Sequence, residues 1–115
     1  MAAAKRAAPA GREPIEIMPA LTTKQISLHL QAVPNWSKRV QTIFRTFRFE
    51  GFLKSIDFVN RIARKAQKIN HHPDIDIRFD KVTLTLTTHD EGGITEKDFT
   101  LAEQCDEVFA KFSES

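Results

Sequence analysis

The chain has 115 residues and a mass of 13.1 kDa, with 41% of its residues apolar and 28% charged, which suits one globular domain with one core and leaves little area for a second. A net charge of +2 is too small to argue for a nucleic-acid partner, and no apolar run approaches the roughly 20 residues of a membrane span. The single Cys105 excludes an intrachain disulfide and fits a reducing, cytoplasmic compartment.

Residues 1–14, MAAAKRAAPAGREP, are rich in Ala, Pro and Gly and lack the continuous apolar segment of a secretory signal. They read as a disordered N-terminal tail, leaving a single domain over residues 15–115. A short helix is predicted in LTTKQISLHLQAV, capped by Thr22 or Thr23 and stopped by Pro34 and Asn35. Ile26, Leu28, Leu30 and Val33 supply its apolar contacts. NWSKRVQTIFRTFRF is rich in β-branched and aromatic residues, predicting two strands, the first short and starting near Trp36. Ile43, Phe47 and Phe49 share one side of the second strand, Thr46 and Arg48 the other.

The period then changes. Phe52, Ile56, Val59, Ile62, Ala63, Ala66 and Ile69 recur at helical spacing and predict the longest helix. Its cationic end lies at the C-terminus, where the macrodipole favours positive charge, and Asn70 is its stop. After His71, His72 and Pro73, the alternation of Ile75, Ile77 and Phe79 and then of Val82, Leu84 and Leu86 predicts a hairpin with Asp80 and Lys81 in its turn. DEGG reads as a loop. Thr95 and Asp98 have capping-box spacing before a last helix whose stripe is Leu101, Cys105, Val108 and Phe112. The order αββαββα, with antiparallel pairs, predicts an α+β two-layer sandwich: a four-stranded antiparallel sheet with three helices on one face. Nine phenylalanines, one tryptophan and no tyrosine predict an aromatic-rich core.

Three of the four histidines fall where elements end. His71 and His72 leave the long helix, Pro73 biases His72 toward extended geometry, and His89 ends the second hairpin strand. Three readings stand open. Loop histidines are often simply solvated. A metal site would use three histidines and an open fourth position, but adjacent side chains project apart, and the i, i+4 pair of a helical zinc site is missing. An acid–base site needs groups that hold or release a proton near neutral pH, which histidine does with an unperturbed pKa of about 6.5. There is no Gly-rich phosphate loop and no nucleophilic Ser or Cys in a recognisable setting; Cys105 falls on a helix stripe and reads as core.

The run His71-His72-Pro73, five residues to Phe79, nine more to His89 and eight more to Asp98, resembles the signature of the pterin-4a-carbinolamine dehydratases. KVTLTLTTH and GGITEKDFTLA resemble that family's strand and final helix, and weaker similarity runs from about Leu21 to Val108. The resemblance implies the α+β fold above and a hydro-lyase that removes water from 4a-hydroxytetrahydropterin to give quinonoid dihydropterin. This is a step in tetrahydropterin recycling. It implies no metal and no bound cofactor, His71 and His89 as the acid–base pair, and His72, Pro73, Thr88 and Asp98 as the pterin-binding set. Asp98 keeps a second reading, as a helix N-terminal residue that positions the loop beside His89. A homodimer or homotetramer is implied, with sheets joined edge to edge and long helices packed together. So is a hydroxylase or other protein partner; no nucleic acid and no membrane are expected. The competing class is a non-catalytic binding protein of the coactivator or assembly-factor type. Two positions depart from the pattern: Gln67 stands where an ionisable residue is usual, and Ile75 where Trp is frequent.

Overall fold

The computed structural model describes residues 19–113; the tail over residues 1–14 lies outside the described residues. Helix α1 (Thr23–Ala32) starts at Thr22, whose side chain accepts from the Gln25 N–H while the Gln25 side chain accepts from the Thr22 N–H, a complete capping box. Strands β1 (Ser37–Arg39) and β2 (Thr42–Arg48) follow, then α2 (Phe52–Ile69), β3 (Asp74–Arg78), β4 (Lys81–Leu86), a 3₁₀ turn (His89–Glu91) and α3 (Glu96–Ser113). The sheet is antiparallel in the order β1-β2-β4-β3, so the crossover through α2 carries the chain from β2 to the far edge and β4 returns between them.

One face of the central strands is buried. Ile43 and Phe47 on β2, and Val82, Leu84 and Leu86 on β4, pack with Phe58 and Ile62 of α2 and with Leu101, Ala102, Cys105 and Val108 of α3. Phe44, Thr46, Thr83 and Thr85, on the other face, remain partly or fully exposed. An aromatic cluster joins the layers: Phe58 meets Phe47, Phe49, Phe109 and Phe112, with centroids 4.8–6.2 Å apart. Beside it, Asp106 accepts from the Trp36 indole at 2.9 Å and from Arg45 at 2.6 Å, tying α3 to the β1–β2 side.

Four details differ from the sequence reading. The buried side of α2 is Ser55, Phe58, Ile62 and Ala66, whereas Phe52 and Ile69 of the predicted stripe are 48% and 37% exposed. Leu28 of α1 faces out. Arg78 pairs with Lys81, so the β3–β4 turn is Phe79–Asp80, one residue earlier than expected. Ile75 and Ile77 pair with Leu84 and Val82 on the helix-covered side, yet stay exposed because the helices do not reach the edge strand.

Candidate active site

The end of α2 separates the two adjacent histidines. Asn70 takes the left-handed conformation at φ 55, which Asn tolerates better than most residues. The Asn70 N–H donates to the Gln67 carbonyl and the His71 N–H to the Ala66 carbonyl, closing the helix as a Schellman motif. The chain turns sharply there, and the two rings acquire different partners. The half-buried His71 directs Nε2 to Asp98 Oδ1, 2.6 Å away. The exposed His72 has Nε2 2.9 Å from Gln67 Oε1.

Asp98 is fully buried in the first turn of α3. The positive end of that helix favours a carboxylate. Its Oδ2 accepts from the Thr95 N–H and from the Thr88 hydroxyl, both at 2.9 Å. Thr88 Oγ1 has given its hydrogen to Asp98, so the Thr95 hydroxyl donates to it at 2.8 Å. Thr95 Oγ1 in turn accepts from the Lys97 N–H. Every hydroxyl in this buried chain has a partner, as a polar network inside a core requires. The capping-box spacing of Thr95 and Asp98 gave the sequence signal for half of it. Thr95 as a support beneath His71 was not foreseen, nor was the Gln67–His72 pair.

The strand register brings these segments to one end of the sheet. β3 begins at the pair Asp74–Thr85, and β4 runs out just past the pair Ile43–Leu86. His71 meets the end of β4 through Asp98, which binds Thr88 as well. An isolated bridge from Thr88 to Gly93 closes the loop that holds the 3₁₀ turn, with Gly92 at φ 73 in the left-handed region that suits glycine. His89 opens that turn and is exposed; among the described residues its imidazole has no hydrogen-bond partner. Pro73 is half-buried immediately before β3. Phe79, in the signature spacing, sits at the opposite end of β3, roughly 16 Å away for five residues of strand. No group of three or more His, Cys, Asp or Glu side chains suited to a metal ion occurs among the described residues.

Chemically, the arrangement offers a carboxylate-backed imidazole. Asp98 accepts from Nε2–H, which fixes the tautomer and leaves Nδ1 of His71 to take up or release a proton. Fold and site together define an α+β protein with a cluster of histidines, one of them backed by a buried carboxylate, at one end of its sheet. A family model for pterin 4 alpha carbinolamine dehydratase matches residues 19–108. A Picosynechococcus protein named for that dehydratase is 48% identical over 88 residues, spanning 76% of this chain and 96% of its own. One from Chloroflexus aurantiacus is 50% identical over 91 residues, spanning 79% and 98%. Among solved structures, a transcriptional coactivator/pterin dehydratase from Brucella melitensis superposes with a TM-score of 0.75 at 32% identity, covering 77% of this chain and 97% of that one. A pterin dehydratase-like RuBisCO assembly factor of the alpha-carboxysome shares the fold, with a TM-score of 0.54 at 20% identity over 64% of this chain and 86% of that one. This chain belongs to the pterin-4-alpha-carbinolamine dehydratase family, and with it to the hydro-lyases. No helix among the described residues is long and apolar enough to cross a membrane.

Proposed function

We propose that this protein converts 4a-hydroxytetrahydropterin to quinonoid dihydropterin and water by histidine acid–base catalysis, as a step in tetrahydropterin recycling. The observation that carries the reading is the His71–Asp98 contact at 2.6 Å, at the sheet end that also bears His72 and His89. In the reaction the C4a–O bond breaks with its electron pair going to oxygen, and an acid supplies the proton that completes water. A base removes the proton on N5, and that bonding pair closes the C4a=N5 double bond. One proton is given and one taken, so the enzyme ends in the charge state in which it began.

His71 and His89 are the two groups for these transfers. Nδ1 of His71 is the working nitrogen, because Asp98 occupies Nε2. His89 is exposed and unencumbered, free to meet the other side of a bound ring. His72, held by Gln67, orients the pterin, and Pro73 next to it joins the binding set. Thr88 and Asp98 are buried and committed to each other, so they serve as positioning residues acting through His71 rather than by touching substrate.

The test is the dehydration of chemically generated 4a-hydroxytetrahydropterin, followed spectroscopically with and without the protein. Acceleration that is retained in a strong chelator is expected. An unchanged dehydration rate over a range of protein concentrations would remove the proposal.

A further inference from the structure

Both hairpins turn on a large apolar residue in the left-handed region: Val40 at φ 53 and Phe79 at φ 55. Valine suits that region poorly, because its branched Cβ crowds the backbone. Its side chain is 78% exposed. Strain of this kind persists where the surroundings over-determine it, and it concentrates at ligand clamps and active sites.

The place of the two turns distinguishes them. Arg39 pairs with Thr42, making Val40–Gln41 the two-residue loop between β1 and β2. The Thr87 hydroxyl donates to the Gln41 carbonyl at 2.7 Å, tethering that loop to the strand extension two residues before His89. On the entering side, Arg39 lies over the Phe44 ring at 4.7 Å and holds the hairpin flat against β2. The Phe79 turn is fixed at the other end of the sheet, where the Phe49 N–H donates to the Asp80 carbonyl. One strained apolar tip thus lies at the same end of the sheet as the histidines and the other at the opposite end.

We propose that Val40 forms the apolar lip of the substrate site and is a specificity-determining residue, contacting the bound pterin on its ring face or its C6 substituent. This rests on the pterin dehydratase reading above. The histidines, Gln67 and Thr87 present polar atoms, which serve the hydrogen-bonding edge and the reacting C4a–N5 region of a pterin. A flat heterocycle with an alkyl-bearing C6 also has apolar surface to cover, and Val40 offers a rigid apolar group there with its conformational freedom already reduced.

Val40→Asn removes the apolar contact while suiting the left-handed turn, and Val40→Gly removes strain and side chain together, so neither threatens folding. Steady-state kinetics on 6-methyl and 6-dihydroxypropyl carbinolamines should show KM for the 6-methyl substrate raised about 5- to 10-fold in both variants, with a smaller rise for the polar substituent and kcat within about twofold. Phe79→Asn, relieving the same strain at the far end, should leave KM unchanged. Independently, the methyl NMR signals of Val40 should shift when 7,8-dihydrobiopterin is added to the wild-type protein. A wild type that turns over while both Val40 variants keep its KM, with unmoved Val40 methyls, overturns this inference alone. A wild type that neither binds nor turns over pterins overturns the functional reading and this inference with it.

Discussion

His71 and His72 are neighbours in the chain, yet one ring rests on a buried carboxylate and the other on a solvent-facing amide. That difference predicts different kinetic phenotypes. His71→Ala or His89→Ala should lower kcat by about 100- to 10,000-fold, the usual range for general acid–base groups. Removing both should cost more than either, because each serves a separate proton transfer in the proposed reaction. His72→Ala should act mainly on KM. Asp98→Asn should resemble His71→Ala in kcat, since an amide in that place cannot accept from the imidazole, Thr88 and Thr95 at once. A double histidine variant that stays folded by circular dichroism and keeps wild-type turnover would refute the site. The histidine spacing was legible in the sequence because it is written as residue types at intervals. The pairing of Gln67 was not. It stands four residues before His71, and the Schellman turn at Asn70 swings His72 over it. Gln67→Glu should therefore alter pterin affinity and its pH dependence, by favouring the imidazolium form of His72, and leave kcat nearly unchanged; a kcat gain at fixed KM would contradict this assignment.

Helix α2 shows where periodicity runs out. Its apolar residues lie on two adjoining stripes, and spacing alone does not say which one faces the sheet. The stripe with Phe58 wins because α3 and β2 present Phe47, Phe109 and Phe112 to it. Phe58→Ala should accordingly cost about 3–5 kcal/mol in chemical denaturation, as for a buried ring left as a cavity. Phe52→Ala, at a half-exposed position, should cost less than about 1 kcal/mol in the monomer. In α3 the predicted stripe does face the core, with Leu101, Cys105 and Val108 buried, and Phe99, Ala102 and Phe109 widen it. Burial there pushes the Cys105 thiol up to about 12 from 9.0, with the Asp106 charge adding to the effect and Arg45 and Lys65 opposing it. The native state therefore holds the thiol proton where the unfolded state has lost it. That contribution is fully present below pH about 9 and is lost as pH rises toward about 12. The wild type should lose more stability between pH 9 and 11 than Cys105→Ala does. Equal pH slopes for the two proteins would show that the thiol stays neutral in both states or ionises equally in both.

At the scale of the molecule, the αββαββα order and the covered face follow from alternation and helical spacing, but the fate of the outer strand does not. Ile75 and Ile77 alternate as core residues should, and they do point to the helix side. They remain 39% and 36% exposed because three helices cover only the strands nearer the middle. An edge strand with unpaired backbone groups and apolar side chains is a template for another strand. Phe52 and Leu53, 48% and 75% exposed at the start of α2, add further apolar surface. These residues have no core to enter within one copy of a chain this small, so a second copy is the economical cover, in keeping with the edge-to-edge association that the family resemblance implies. Sedimentation velocity at micromolar concentration should show a multiple of 13.1 kDa. Ile75→Lys combined with Ile77→Lys should shift the population toward the monomer, because two desolvated ammonium groups at a strand edge oppose pairing. Circular dichroism should stay native, since neither position contributes to the buried core. A wild type that sediments only as a 13.1 kDa species would mean that the exposed edge is tolerated in solution, and the apolar alternation of β3 would then need another explanation.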